Sequence, residues 1–528
     1  MCRMNMKNSV TRQRRYAKRR SIIMGTAILT IAGFITRFIG FFYRIYLSNT
    51  MGAEKLGIYQ LVFPVYGICF TLYASGIQTS ISRLVAAELG KKNYKNIHKI
   101  LKIGLIMSVS IAIFLSILVY INANSIAMNF LMEARSASSL RVLAFVFPFC
   151  GVTSCINGYY YGLKKAGVPA STQLLEQVTR VIVVYLVALY AGNGDQSVTC
   201  ELAIFGVVIG EIVSCLYNFF SLFYTKSPKE LILFGANENL TKSSSKKIAT
   251  DLFHLSAPLS GNRLIINILH SIEAVLIPNM LRKSGLSTAD ALSVYGVLNG
   301  MAIPFILFPT AVINALAVLL LPTISEAQAT NNEKLIGRTT SVSIKYSIII
   351  GILSTGIFVV FGKALGNNVF HNESAGAYLV ILAWLCPFVY LTTTLGSIIN
   401  GLGKTHITFF NSVTGLLIKI LLILVLIPNH GITGYLIGLL ISQLIVTSMD
   451  SYAIIRNIKF SFHAMDCLLK PGLIIALSGF MMKEIYEYIQ KMTQMNEVVL
   501  LLSFCLILCV LYFGLLITTN AISRKDFK

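Results

Sequence analysis

The chain has 528 residues, 55% of them hydrophobic and only 12% charged, with a mean hydropathy of +0.73 and a formal net charge of +23. This composition excludes a soluble globular protein, so a domain count scaled from length does not apply. The surplus charge by itself would suit a nucleic-acid partner, but the placement of the cations along the chain argues against one.

Residues 1–21 form a basic N-terminal segment carrying Arg3, Lys7, Arg12, Arg14, Arg15, Lys18, Arg19 and Arg20. It leads into an apolar run at 22–48, longer than a signal-peptide core and without a small-residue cleavage site near its end. It therefore reads as an anchor that is retained. Further apolar runs follow at 56–80, 101–122, 138–160, 172–192, 200–224, 251–279, 291–322, 340–362, 375–400, 406–428, 431–455, 471–489 and 497–519. Each can cross a hydrocarbon core of about 30 Å as a helix, giving about fourteen spans. Lipid leaves no solvent partner for backbone polar groups, and these runs are too long and continuous for barrel strands, so the expected fold class is an all-α polytopic membrane protein.

Every second loop is basic: KKNYKNIHK, Lys164 with Lys165, KSSSKK, EKLIGR, Lys404, and RNIKFSF onward to Lys470. The intervening loops, such as GNGDQSVTCE and NHGIT, are nearly free of cations. The positive-inside rule then places both termini in the cytoplasm of a bacterial inner membrane. The net charge is loop charge facing an anionic leaflet, which predicts contact with anionic phospholipids and not with nucleic acid. The ten cysteines are scattered without a C-x-x-C pair and read as small buried hydrophobes.

INGYYYGLKKAGVPASTQLLEQVTR (156–180) aligns with LGSIINGLGKTHITFFNSVTGLLIK (395–419) at a shift of 239 residues without a gap. Gly162, Leu163, Lys165 and Arg180 fall on Gly401, Leu402, Lys404 and Lys419. Two six-helix lobes follow, an N-lobe at 22–224 and a C-lobe at 251–455, joined by a cytoplasmic linker at 225–250. Residues 456–528 add a helix pair and a short tail. Duplicated bundles are the architecture of secondary transporters, whose binding sites lie at interrupted helices. The first span of each lobe is expected to be interrupted, one by the arginines and glycines of GFITRFIGF, the other by Pro258, Gly261 and Arg263 of APLSGNR.

Charge inside a span costs about 2.5–3.5 kcal/mol on insertion scales, so such residues face water or a partner. The deep cations are Arg37, Arg180, Arg263 and Lys419, and the deep acids Glu176, Glu211 and Glu273. Arg37 and Arg44 lie two turns apart on one helix face. Arg44 either lines a vestibule with Arg37 or snorkels to headgroups. Glu176 and Arg180 either form an i,i+4 structural pair or line the cavity. Arg37, Arg263 and Lys419 have no acid within a turn, which favours a cation-lined cavity over pairing between helices. Such a cavity suits an anionic substrate, a pyrophosphate in particular. Glu211 and Glu273 are candidates for coupling Na⁺ or H⁺. No catalytic constellation is visible; GLGKT at 401–405 imitates a phosphate loop, but Ile398 stands five positions before the second glycine. No cofactor is expected beyond an ion gradient or membrane potential.

GFITRFIGFFYRIYLSNTMGAEKLGIYQLVFPVYG, ISRLVAAELGKKN, GMAIPFILFPTAVINALAVLLLPTISEA and IINGLGK resemble the stage V sporulation protein B group of Gram-positive bacteria. That group belongs to the multidrug/oligosaccharidyl-lipid/polysaccharide exporter (MOP) superfamily. The chain is more distantly similar to MurJ-type lipid II flippases, whose first helix carries an arginine pair. Arg37 matches the first of the pair, and Arg44 the second with a shift of one residue. Ile58 stands where those flippases carry an aspartate, and the arginine they carry before the proline of helix 8 has no cation counterpart near Asn299. The resemblance implies fourteen helices, alternating access, and a flippase for an undecaprenyl-pyrophosphate-linked cell-wall precursor in peptidoglycan or spore cortex synthesis. A lipid-linked oligosaccharide would be the substrate, with cell-wall synthases as partners. The competing expectations are a cation-coupled multidrug exporter of the same superfamily and a non-transporting membrane scaffold for wall synthesis.

Overall fold

A computed structural model describes residues 28–91, 93–191, 198–224, 244–492 and 495–522. The basic segment 1–21, most of the 225–250 linker and the end of the C-terminal tail lie outside the described residues. All regular structure among the described residues is helical. The spans are α1 (Ile28–Met51), α2 (Ala53–Gly90), α3 (Tyr94–Ile121), α4 (136–162), α5 (Gly167–Ala191), α6 (Cys200–Tyr224), α7 (Ser245–Lys283), α8 (288–329), α9 (Glu333–Phe370), α10 (Glu373–Gly401), α11 (405–430), α12 (432–457), α13 (Met465–Met492) and α14 (Glu497–Thr518).

Among the described residues, thirteen helices are long and apolar enough to cross a membrane, and α4, bent by 43° between Ser136–Ala144 and Val146–Gly162, adds a fourteenth. The protein is thus a multi-pass membrane protein. Three of the predicted spans take an unexpected form. The expected span at 291–322 is built of two segments, Thr288–Leu307 and Thr310–Ala329. The expected pair at 406–428 and 431–455 is one helical run, Thr405–Asn457, of 53 residues. Straight, that run would measure about 80 Å, well over twice a hydrocarbon core. Gly431 turns it back, with φ 56° and ψ −141°, a conformation open to glycine. The two arms then pack through glycines: a Cβ added at Gly434 would lie 2.5 Å from the Leu426 carbonyl oxygen, and one at Gly415 2.1 Å from Val446 Cγ2.

The chain divides into two compact units, Met1–Gly40 with Val62–Ile268 and Phe41–Leu61 with Leu269–Lys528. Both are built on the repeat. In the first, Leu163 N–H donates to the Tyr159 carbonyl, Lys164 to Tyr161 and Lys165 to Tyr160; in the second, Leu402 donates to Ile398, Gly403 to Asn400 and Lys404 to Ile399. The left-handed residue of each turn, Lys164 and Gly403, recurs at the same shift of 239. So does the packing. A Cβ at Gly162 would meet the Ser82 carbonyl and Val85, and one at Gly401 the Leu321 carbonyl and Ile324. The buried clusters match as well, with Ile81, Val85, Ile97, Ile156, Tyr159 and Tyr160 in one and Leu320, Ile324, Ile336, Leu395, Ile398 and Ile399 in the other. The loop lysines of the repeat therefore belong to a duplicated helix-ending motif, which also accounts for GLGKT.

The interruptions expected in the first span of each lobe are absent. α1 is continuous from Ile28 to Met51, and α7 runs unbroken through Pro258 and Gly261. One proline removes a single backbone donor, whereas unwinding in lipid would strand several polar groups. The second span of each lobe instead contains a π-helical segment, at Thr71–Ser75 and Val297–Ala302, and further ones follow α3 at Ile126–Phe130 and open α13 at Met465–Leu469.

In the second unit the first half of α2 packs on α8 through glycine. A Cβ at Gly296 would sit 2.0 Å from the Ala53 carbonyl oxygen, and one at Gly57 2.2 Å from that of Leu292. Gly296→Ala is expected to cost about 1–3 kcal/mol by overpacking, read as a lower thermal midpoint in detergent, whereas Gly33→Ala, with no atom within 4 Å of the new Cβ, should leave it unchanged.

Candidate functional site

Arg263 lies mid-way along α7, and its side chain is exposed. Its Nη1 donates to the Ser75 carbonyl at 3.2 Å and to the Ser75 hydroxyl. One turn on, Asn267 Nδ2 donates to the Gly67 carbonyl at 3.2 Å and to Thr71 Oγ1 at 2.5 Å. Both residues thus grip α2 at its π-helical turn, where backbone carbonyls are poorly satisfied by the helix itself. A Cβ at Gly76 would lie 2.7 Å from the Ser256 carbonyl, so the two helices are in backbone contact there. Nη1 is the anchored nitrogen of Arg263, which leaves the rest of the guanidinium fork without a carboxylate partner among the described residues.

Arg37 is exposed in the middle of α1 and forms no ion pair among the described residues. Arg44, two turns further along, is also exposed. Glu176 and Arg180 do pair, closing one of the two alternatives the sequence left open: Arg180 Nη2 bonds Glu176 Oε1 within α5. Gly210 of α6 lets that helix approach, since a Cβ there would be 2.8 Å from the Glu176 carbonyl. Next to it, Glu211 is 4% exposed and one of its carboxylate oxygens has no hydrogen-bond partner among the described residues. Cys150, Thr153, Glu176 and Arg180 surround it.

Lys419 is where sequence reasoning fails. No acid lies within a turn of it on α11, but α7 supplies one: Lys419 Nζ contacts both oxygens of Glu273 at 3.0 Å. Tyr435 of α12 donates to the same carboxylate at 3.2 Å, and His270 Nδ1 lies 3.4 Å from its other oxygen. Glu273, read from sequence as an ion-coupling candidate, is 8% exposed and already carries an ammonium. A metal cation could bind there only by displacing Lys419. The repeat thus conserves the cation of Arg180 and Lys419 while changing its partner, from an acid on its own helix to one on α7.

Sequence reasoning also missed Asn267, Ser75 and Tyr435, because uncharged residues in apolar runs carry no signal until the fold aims them at a charge. Asp450 is a further case, buried at 3% exposure with Asn411 Nδ2 donating to it at 2.7 Å. Among the described residues no group of three or more His, Cys, Asp or Glu could hold a metal ion, and none of the nine cysteines forms a disulfide.

The polysaccharide biosynthesis protein family matches residues 22–328. Over 97% of the chain and 98% of the relative, the sequence is 25% identical to stage V sporulation protein B of Bacillus subtilis. It is 23% identical to the lipid II flippase MurJ of the same organism, covering 87% of each. The fold is similar to that of a multidrug resistance MATE family transporter of the MOP superfamily in its inward-facing conformation, with a TM-score of 0.64 at 14% identity, covering 80% of this chain and 94% of that one.

Proposed function

The chain belongs to the polysaccharide biosynthesis protein family, and from that premise we propose that it is a flippase moving an undecaprenyl-pyrophosphate-linked glycan, a peptidoglycan or spore cortex precursor, across the cytoplasmic membrane by alternating access. The observation that carries this reading is a pair of intramembrane guanidiniums, Arg37 and Arg263, exposed and without a carboxylate partner among the described residues. A guanidinium fork binds phosphate oxygens bidentately, and charge at this depth is costly unless a ligand or water meets it. Arg37 and Arg263 are the principal pyrophosphate ligands, and Arg44 meets the head group on its way out. Arg180 already shares its charge with Glu176, and Lys419, in the second unit, with Glu273, so both are less available to a substrate. The polyprenyl tail stays in lipid, and both termini face the cytoplasm.

Glu211 supports a second reading, a cation-coupled exporter of drugs, because a buried carboxylate with an unpartnered oxygen is suited to taking up a proton or cation. Proteoliposomes loaded with labelled lipid II, a lipid-linked teichoic precursor or a cationic dye separate the two. Movement of one of the lipids but not of the dye is the expected result. Dye efflux without movement of either lipid would replace the flippase with the exporter.

A further inference from the structure

The repeat continues past α5 and α11 once the shorter turn at Gly431 is allowed for: the shift of 239 becomes 232 between α6 and α12. Packing follows it. A Cβ at Gly210 would lie 2.8 Å from the Glu176 carbonyl oxygen; in the second unit Ser442, the counterpart of Gly210, has its carbonyl oxygen 4.0 Å from a Cβ at Gly415, the counterpart of Glu176. Hydrogen bonds follow it too. Thr172 of α5 donates to Asn218 of α6 at 2.9 Å, and at the matching positions Asn411 of α11 donates to Asp450 of α12 at 2.7 Å.

Two positions of this pattern exchange an acid for a carboxamide. Glu211 in the first unit corresponds to Gln443 in the second, and Asn218 in the first to Asp450 in the second. Both amides act as donors. Gln443 Nε2 donates to Thr392 Oγ1 at 3.0 Å, and Asn218 Nδ2 to Asn157 Oδ1 at 3.4 Å. An ionised carboxylate has the shape of the amide but no hydrogen to donate, whereas the protonated acid supplies one. At Glu211 the missing hydrogen leaves a mark: Glu211 Oε1 and Thr153 Oγ1, the counterpart of Thr392, are both buried without a hydrogen-bond partner among the described residues.

The surroundings suit a proton better than a metal ion. Around Glu211 stand Tyr66 and Tyr73 of α2, Cys150 of α4, Glu176 and Arg180 of α5 and Cys215 of α6. Asp450 is buried and forms no ion pair among the described residues. Asn411, which holds it, also lines a cavity of about 410 Å³ whose titratable groups are Lys404, Tyr452 and Arg456, so water can approach from that side. A metal ion needs several oxygen ligands, and neither acid has a second free carboxylate beside it: Glu176 is held by Arg180, and Asp450 faces the N–H of Asn411. A proton needs one acceptor.

We propose that Glu211 and Asp450 are proton-binding sites, one in each unit, where the bound proton supplies the donor hydrogen that a carboxamide supplies at the matching position of the other unit. Release of the proton leaves an uncompensated buried carboxylate, so the packing of α6 and of α12 responds to pH. The assignment rests on the repeat and is read without transport, so it stands or falls separately from the flippase and the exporter. Infrared spectra of purified full-length protein in an ester-free detergent distinguish protonated carboxyls from carboxylates by their carbonyl stretch. Exposed acids are ionised at neutral pH, so a carboxylic acid band there reports buried protons. Native protein should show the band. Glu211→Gln and Asp450→Asn should each lose about half of it and the double variant nearly all, with native thermal midpoints, because each change installs the residue that the other unit already carries. Raising the pH should abolish the band in native protein, and adding sodium chloride at constant pH should leave it unchanged. No band in native protein, a band that survives in the double variant, or one that only one of the single variants reduces would overturn the pair. Loss of the band on adding sodium would put a metal cation in place of the proton, and a collapsed thermal midpoint in either amide variant would show that the fold requires the ionised carboxylate and overturn the assignment.

Discussion

Arg37→Ala and Arg263→Ala should each abolish flipping of the lipid-linked precursor in proteoliposomes while the protein remains folded and inserted. Truncating one partner of a desolvated, hydrogen-bonded charge contact costs about 2–5 kcal/mol, equivalent to roughly 30-fold to several thousand-fold in rate when the contact is made on the transport path. Arg→Lys at either position should recover only part of it, because lysine returns the charge but not the bidentate fork. Arg263 needs one more comparison, since it also fastens α7 to α2 through Ser75. Ser75→Ala removes the hydroxyl but keeps the carbonyl and the arginine, and should slow transport less than tenfold. Equal losses in Ser75→Ala and Arg263→Ala would make Arg263 a clamp between helices and remove it from the substrate site. Full transport in Arg37→Ala would remove one of the two guanidiniums on which the flippase proposal stands.

The largest effect on stability is expected at Lys419. Lys419→Ala leaves the Glu273 carboxylate at 8% exposure with Tyr435 and His270 as its remaining neighbours. Breaking a buried pair on one side costs about 3–5 kcal/mol, because an uncompensated charge stays behind. The variant should lose most of its folded yield or show a much lower thermal midpoint in detergent. Lys419→Met with Glu273→Gln removes both charges and keeps the volumes, so the double variant should recover most of the loss. Strongly non-additive effects in that cycle locate the energy in the pair itself. If the two single changes simply add, the contact is incidental and Lys419 returns to the set of cations available to substrate. The same cycle separates coupling from structure: a transporter driven through Glu273 would lose transport in the double variant even where stability is restored.

The membrane class, the number of spans and the repeat are all legible in the residue order. Each of these rests on a property that lipid enforces locally. A span needs about 20 apolar residues whatever surrounds it, and a helix-ending motif such as that at Gly162–Lys165 or Gly401–Lys404 closes its hydrogen bonds within a few residues. For the same reason the i,i+4 pair Glu176–Arg180 was legible as one of two alternatives, both of its members lying on one helix.

Whatever depends on groups far apart in the chain is settled by how the helices pack. Lys419 meets an acid 146 residues away, and Arg263 meets a serine 188 residues away; no local spacing encodes either. The expectation of broken helices failed on similar grounds. Glycine and proline mark where a helix can open, but whether it opens depends on what its neighbours offer the freed backbone groups, and the π-helical turn of α2 is the one that Arg263 and Asn267 reach. In a chain whose spans are nearly all apolar, charge is the rare signal, and its meaning is set by the distance to the next charge, which is a property of the packed helices and not of the sequence order.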